Sequence, residues 1–211
     1  MIIAVDGPAA SGKGTLARGL AAHYGLHFLD TGSLYRMVAR AMIECGIRPD
    51  DHDAAAKAAQ LLDPSLYRDD DLRSEAVGEA ASIVAVNPDV RLALLGLQRR
   101  FAERKPGAVL DGRDIGTVVC PKADVKIFVT ASPEVRARRR AEELKARGTA
   151  SDFATVLAEI RGRDDRDRSR AHAPLVPAGD AHVLDTSELG IAAALQRAIE
   201  IVEAQRKARR M

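Results

Sequence analysis

The sequence predicts an α/β protein, a five-stranded parallel sheet with helices on both faces in a three-layer α/β/α arrangement. Short apolar runs of strand length recur along the chain, segments of helical periodicity separate them, and each of the five runs ends in Asp or Thr near a Gly or Ser. Alternation of this kind describes βαβ units, in which crossover helices join parallel strands. Such sheets carry their ligands beyond the carboxyl ends of the strands.

The first strand is read at IIAV, 2–5, followed by the helical pattern LARGLAAHY. The second is HFL, 27–29, followed by YRMVARAMIEC. A mainly helical excursion then occupies 49–105, interrupted at Asp63-Pro64 and Asn87-Pro88, where proline removes a backbone donor and disfavours helix in the residue before it. The third and fourth strands are AVL, 108–110, and VKIFV, 125–129. Between 133 and 175, Pro133 opens a helix and Arg147-Gly148-Thr149 closes it; Ser151-Asp152 caps the next, which Pro174 stops. Two helices joined by a small polar turn outside the sheet describe a lid. HVL, 182–184, is the fifth strand, and the KARRM end reads as a frayed basic tail. The strand-end residues Asp6, Asp30, Asp111, Thr130 and Asp185 are expected along one edge of the sheet.

A chain of 211 residues supports one substantial core and is cramped as two independent domains. We therefore read one domain: a core at about 1–48, 106–132 and 176–211, the helical excursion, and the lid. The hydrophobic share of 46% with 29% charged residues is that of a folded globular chain rather than a disordered one. Lys and Arg number 32 against 30 Asp and Glu, so the whole-molecule field is weak, which argues against a dedicated non-specific DNA binder. Cys45 and Cys120 form neither a CxxC pair nor a disulfide framework. Together with an N-terminus that lacks the features of an export signal, they place the expected location in the cytoplasm. No run of apolar residues is long enough to span a membrane.

The strongest chemical signal is GPAASGKGT, comprising Gly7, Pro8, Ala9, Ala10, Ser11, Gly12, Lys13, Gly14 and Thr15, set between the first strand and the first helical pattern. Glycines let the backbone wrap closely round phosphate oxygens, amide groups and the helix N-terminus attract the anion, and Lys13 adds a point charge. This is the phosphate loop of a P-loop NTPase. Gly14 occupies the position usually held by a magnesium-binding Ser or Thr, so GKGT is a variant. The stretch RGRDDRDRSR, 161–170, is equally pointed in composition, with five arginines, three aspartates and no apolar side chain. Runs of mixed charge are usually solvated faces, so that reading competes here with an active-site one. The five histidines, His23, His27, His52, His172 and His182, show neither metal-ligand spacing nor a triad pattern and are read as ordinary surface or core residues.

GKGT in place of GK[ST] resembles the nucleoside monophosphate kinases, in which magnesium is held largely through water and substrate phosphates. LDTGSLYR (29–36), VLDGRDIGTVVCPKADVKIFV (109–129) and RDDRDRSRAHAPLVPA (163–178) resemble the bacterial cytidylate kinases, over about residues 2 to 205. That resemblance implies transfer of the γ-phosphoryl group of ATP, with Mg2+, to CMP and dCMP. It makes 49–105 the monophosphate-binding region and 133–175 a short helical lid. The partners implied are the small molecules CMP and dCMP, with no nucleic acid and no membrane, and the expected state is a monomer.

Such a reaction gathers two highly charged anions and excludes water, so several arginines must converge from different segments. Candidates are Arg36, Arg113 and the arginines of 161–170. No general base is required, because the accepting phosphate oxygen is already an anion. The resemblance assigns Arg36, Arg113 and Arg170 to the acceptor phosphate, with Thr31 and Tyr35 lining its pocket, and Ser82, Arg91 and Asp114 to the cytosine. A carboxylate for the exocyclic amine and cationic or hydroxyl donors for N3 and O2 are the chemistry this base needs. Without the resemblance, Ser82 would read as a packing residue and Arg91 as an exposed helical one.

On a helix Arg163, Arg166, Asp167 and Arg170 share one side, while Asp164, Asp165 and Arg168 face the other way. By resemblance Arg163 and Asp167 suit ribose hydroxyls, and Arg163 and Arg170 the acceptor phosphate. Arg166 suits the transferring group, reached on lid closure. Asp164, Asp165 and Arg168 read as solvated or as ion-pair partners holding the lid. Asp111 resembles a Walker B acid, able to hold magnesium through water, against the plainer reading of a strand-end turn residue. Arg136 and Arg140, four apart on the first lid helix, share a face toward ATP in one reading and are solvated in the other, while Arg138 and Arg139 point elsewhere into solvent. By analogy with related kinases the DTSELG loop, with Thr186 and Ser187, lies near the adenine.

One departure stands out. Many members of the resembled family carry a longer insertion on the monophosphate side, and here only SLYRDDDLR, 65–73, is available, without the alternation of strands. Two other readings compete. One is another small P-loop kinase acting on UMP, AMP or shikimate; the other is a nucleic-acid-associated P-loop ATPase or switch. The latter lacks an NKxD motif and a set of aromatics for stacking bases.

Overall fold

The structure, a computed structural model, describes residues 1–72, 74–149 and 152–209, with the backbone alone at Asp69. Arg73 of the shortened insertion, Ser151 of the expected lid cap, and Arg210 and Met211 of the basic tail lie outside the described residues. The chain forms two compact units, one of residues 1–29 and 103–211, the other of 30–102.

In the first unit, β1 (Ile2–Asp6) leads through the phosphate loop into α1 (Lys13–Tyr24), which is followed by β2 (His27–Asp30). The chain returns to β3 (Ala108–Gly112), makes a π-helical turn at Ile115–Val119, and continues as β4 (Val125–Thr130). All five strands expected from the sequence are present, with β5 (His182–Asp185) the last, and the sheet order is β2-β3-β1-β4-β5. The pairs β1·β3, β1·β4 and β4·β5 are parallel, with Asp6 in register with Gly112 and Phe128, and Thr130 with Asp185. The strand-end polar residues therefore fall at the carboxyl ends of their strands, as the sequence predicts.

One face of the sheet is apolar because alternate strand residues point the same way. Ile3, Val5, Val109, Val125, Ile127 and Val129 form a core with Leu16 and Leu20 of α1 and with Ala194, Ala198 and Val202 of the C-terminal helix. Full burial of a Leu or Ile side chain contributes about 1.5–3 kcal/mol each, so this face dominates the stability of the unit.

The second unit is helical: α2 (Thr31–Glu44), α3 (His52–Gln60), α4 (Glu75–Val84) and α5 (Pro88–Ala102). The breaks expected at Asp63-Pro64 and Asn87-Pro88 are there, with 3-10 turns at Pro64–Leu66 and Asp69–Leu72 and no strand among the described residues of the shortened insertion. Asp51 and Ser74 cap α3 and α4 by accepting amides of the first turn, the role short polar side chains play at helix starts. Leu34, Val38 and Met42 of α2, with Ala80, Val84, Val90 and Leu94, form its own core.

The lid segments form α6 (Pro133–Ala146) and α7 (Phe153–Ser169), followed after β5 by α8 (Ile191–Ala208). Ser132 caps α6 with Pro133 in its first turn, and Asp152 caps α7 through the amides of Ala154 and Thr155. Val156 and Ile160 of α7 meet Ala137 and Leu144 of α6 in a small apolar seam.

Candidate active site

The phosphate loop is shaped by backbone that most residues cannot adopt. Gly7 has φ +153°, and a Cβ there would lie 2.1 Å from the Val129 carbonyl oxygen; Gly12 has φ +86°, and Ala10 takes a left-handed φ of 57°. Helix α1 starts at Lys13 with no acidic residue in its first turn, so its N-terminal amides and the lysine present positive potential to an anion. Lys13 Nζ stands 3.6 Å from Asp111 Oδ1. A Cβ on Gly14 would lie 3.0 Å from Asp111 Oδ2, so the carboxylate of β3 occupies the space that a side chain would take where other P-loops carry Ser or Thr.

Two carbonyls of this loop are held from the lid and from the loop after β5. Ala9 O accepts from Arg136 Nη1 at 3.3 Å. Ser11 O lies 3.0 Å from the Thr186 hydroxyl and 3.5 Å from Arg139 Nη1. Arg139 also donates to Thr186 Oγ1 at 3.0 Å, to Thr186 O at 2.6 Å and to Leu189 O. Ser187 Oγ accepts the Ser132 amide at 3.0 Å, which fixes the start of α6.

These contacts correct the reading of the lid arginines. Arg136 does not share a phosphate-facing side with Arg140: it is 1% exposed and donates to Asp164 Oδ1 at 2.9 Å, Asp164 Oδ2 at 2.6 Å and Ala131 O at 2.9 Å. Arg140 instead pairs with Glu143 at 3.0 Å on the helix surface. Arg139, expected in solvent, is the arginine tied to the phosphate loop. Spacing along one helix does not reveal which side faces its neighbour, and here the packing of α6 on α7 decided it. Asp164 belongs with this correction: it is buried, not solvated, because Val156, Ile160 and Asp164 form one stripe facing α6. Its role as an ion-pair partner within the lid is the part of the expectation that the geometry shows.

Asp167 gathers the arginines at the far end of α7. Its Oδ2 accepts from Arg113 Nε at 2.8 Å, and its Oδ1 from Arg170. Burial alone would raise this carboxyl, but the guanidiniums of Arg113, Arg170 and Arg163 hold it below the ordinary carboxylate value. The sequence expected Asp167 to meet ribose hydroxyls; here both its oxygens engage guanidiniums. Arg113 and Arg170, drawn from segments 57 residues apart, are thereby brought to one carboxylate, while Arg166 is exposed and Arg163 half-buried.

Asp114 directly follows Arg113 and is buried. The turn after it is held from β1 by a residue to which the sequence gave no role. Asp6 Oδ1 accepts the Ile115 amide and Asp6 Oδ2 the Gly116 amide, both at 2.7 Å. Burial, offset by these two bonds and reinforced by the charges of Asp114 and Asp111, pushes Asp6 up to about 7. Its signal in the sequence was its place, a carboxylate ending an apolar strand one residue before the phosphate loop. Among the described residues there is no cluster of three or more His, Cys, Asp or Glu able to hold a metal ion.

In the helical unit, Asp30 stands at the N-cap position of α2 without a side-chain capping bond, its carboxylate taking Arg36 Nη2 at 2.6 Å instead, while Thr31 is buried at the first position of that helix. Tyr35 packs under Arg91, whose Cζ lies 5.6 Å from the ring centroid, within cation-π range. Arg91 also donates to Ala85 O at 3.2 Å, and is half-buried rather than an exposed helical residue. Ser82 is buried on α4. Among the candidates of this unit the structure thus brings Tyr35 and Arg91 together and turns Arg36 onto Asp30.

The comparisons with known proteins agree with this geometry. A family model described as cytidylate kinase matches residues 3–204. The chain is 60% identical to a cytidylate kinase of Rhodopseudomonas palustris (strain BisA53) over 209 residues, covering 99% of both. It is 60% identical over 206 residues to one of Nitrobacter winogradskyi, covering 98% of this chain and 97% of the other. Among solved structures, a shikimate kinase from Bacteroides thetaiotaomicron superposes with a TM-score of 0.53 at 14% identity, covering 96% of this chain and 98% of the other. The protein TT1252 from Thermus thermophilus does so with a TM-score of 0.51 at 23% identity, covering 97% of both. These superpositions show a shared α/β fold. Since the family model runs from β1 through the phosphate loop, the helical unit, the lid and β5 into α8, the chain belongs to the cytidylate kinase family.

Proposed function

We infer that the chain transfers the γ-phosphoryl group of ATP to CMP and dCMP, giving CDP and dCDP. The observation that carries this reading is a GKGT phosphate loop in a chain whose Arg113 and Arg170 are held together on a buried carboxylate, within a cytidylate kinase family match of nearly full length.

ATP phosphates sit in the loop from Gly7 to Thr15, on the amides that open α1 and on Lys13. Arg113 and Arg170 bind the acceptor phosphate, and Arg166, exposed at the end of α7, meets the transferring group when the lid closes. Asp167 sets the two acceptor guanidiniums in place before the substrate arrives, which lowers the ordering cost of binding. Arg163 serves the ribose and the phosphate. In the helical unit Arg36 exchanges Asp30 for phosphate, Thr31 and Tyr35 line its pocket, and Ser82 and Arg91 read the cytosine together with Asp114. The attacking oxygen is already ionised, so positioning and cationic charge accelerate the step without a general base.

Mg2+ fits the residues present: it takes one or two carboxylates and otherwise phosphate oxygens and water, and Asp111, beside Lys13 and Gly14, is such a carboxylate. When bound, the ion neutralises charge on the phosphates. The chain acts in the cytoplasm as a monomer, without nucleic acid or membrane; among the described residues no single helix is long and apolar enough to cross a membrane.

A coupled ADP-release assay over CMP, dCMP, UMP, AMP and shikimate tests the reading. CMP and dCMP should turn over best, and preferential turnover of any other acceptor overturns the substrate assignment. Lys13→Ala should abolish turnover while leaving the melting curve near that of the parent; near-normal activity overturns its phosphate role.

A further inference from the structure

Asp6 takes no part in the transfer just described. Strand alternation places it, with Ala4, on the face of the sheet opposite the apolar core of Ile3 and Val5. The π-helical turn of Ile115–Val119 packs on β1 there, and Asp6 receives its first two amides on separate oxygens, each at 2.7 Å. Gly116 permits the approach: a Cβ there would lie 3.3 Å from Asp6 Oδ2 and 3.1 Å from Cδ of Lys126, the β4 side chain lining the same space. Two charge-assisted bonds to consecutive peptide planes fix the backbone that immediately follows Arg113 and Asp114, the latter being the cap residue of this turn.

We propose that Asp6 is a positioning residue for acceptor recognition: by holding the amides of Ile115 and Gly116, it sets the directions in which Arg113 and Asp114 present their side chains to the cytidine monophosphate. This rests on the reading of Arg113 and Asp114 as acceptor-side residues. It competes with a plainer role, since Asp6 also precedes Gly7 and could simply stiffen the phosphate loop. The two roles load different substrates. Loss of loop support raises the KM for ATP, whereas loss of the clamp raises the KM for CMP and weakens the choice of CMP over UMP, because Asp114 is the group that meets the exocyclic amine.

The test compares two variants that disturb the clamp from opposite sides. Asp6→Asn keeps the shape but turns an amide donor toward one backbone N–H; Gly116→Ala keeps the carboxylate but pushes the amide away from it. Both should raise the KM for CMP roughly tenfold, the loss of about one hydrogen bond to a charged group, with the KM for ATP within about twofold of the parent and a smaller kcat/KM preference for CMP over UMP. If Asp6→Asn fails to fold in a thermal melt, Gly116→Ala carries the comparison. Equal rises for both substrates, a rise for ATP alone, or no change overturns the proposal. Asp114→Ala, run alongside, separates the two failures. A normal KM for CMP in that variant overturns the acceptor-side reading and this inference with it; a raised one, with the clamp variants normal, overturns this inference alone.

Discussion

Asp164→Ala should cost far more than a change in a charge-rich stretch ordinarily does. Arg136 is 1% exposed and Asp164 2% exposed, and they share two hydrogen bonds of 2.9 and 2.6 Å in a seam otherwise lined by Ala137, Val156 and Ile160. Removing the carboxylate leaves a guanidinium in that seam with two carbonyls, Ala131 O and Ala9 O, as its remaining acceptors. Breaking a buried pair from one side costs about 3–5 kcal/mol, whereas replacing both partners by apolar side chains of similar size is often neutral or better.

The single variant is therefore expected to lose roughly 3 kcal/mol or more, and Arg136→Met/Asp164→Leu to recover most of it. Urea denaturation reads the difference directly. With a slope of about 1–3 kcal/mol per molar urea, the midpoint of Asp164→Ala should fall by roughly 1 M or more, and amide exchange in α6 and α7 should quicken if the loss is confined to the lid. A single variant within about 1 kcal/mol of the parent, or a double variant no better than the single, refutes the reasoning, because either means the pair is solvated rather than buried.

Three further outcomes follow from the same geometry. Asp6 has a folded-state pKa of about 7 against 3.8; the folded chain thus binds this proton more tightly, so the contribution is fully present below about pH 4 and is lost as pH rises through 7, up to about 4 kcal/mol in all. The melting temperature should fall between pH 5 and 8 and fall less in Asp6→Asn, since Asp167 titrates below that window; parallel slopes in the two proteins would contradict it. Gly7→Ala, with a Cβ destined for 2.1 Å from Val129 O, should lose the thermal shift given by ATP while keeping secondary structure by circular dichroism. Arg139→Ala removes the bonds to Thr186 and Leu189 behind the phosphate loop and should raise the KM for ATP severalfold, by roughly 1 kcal/mol, without moving that for CMP.

The sheet was legible because its strands are short apolar runs, buried throughout in β3 and largely so in β1 and β4, and each of the five stands where such a run was read. The phosphate loop was legible because its demands are local: Gly7 and Gly12 need backbone angles that their own neighbours impose. Arg136, Arg139 and Asp164 were misread for the opposite reason. Which side of a charged helix is inside depends on the partner helix, and α6 carries arginines at four of its positions between 136 and 140, so periodicity alone cannot choose among them. Asp6 was visible as a strand-end carboxylate, but its partners are amides 109 and 110 residues away, and backbone donors leave no trace in side-chain patterns.

The stretch RGRDDRDRSR holds no apolar residue, yet two of its aspartates are as buried as any in the chain. Desolvating a carboxylate is unfavourable, so each needs a guanidinium in place: Asp164 has Arg136, and Asp167 has Arg113 and Arg170. Net stabilisation from such pairs is small or negative relative to an apolar seam, and their effect on which packing is allowed is larger. Val156, Ile160 and Asp164 lie at successive turns on the side of α7 that meets α6. Slipping α7 by one turn would set Arg136 against Ile160 or against Arg168, leaving a buried cation without its anion in either case. The pair therefore specifies one register of α7 on α6, and that register decides where Arg166, Asp167 and Arg170 stand at the end of the helix. Charge inside the lid seam aligns the charge that the reaction uses.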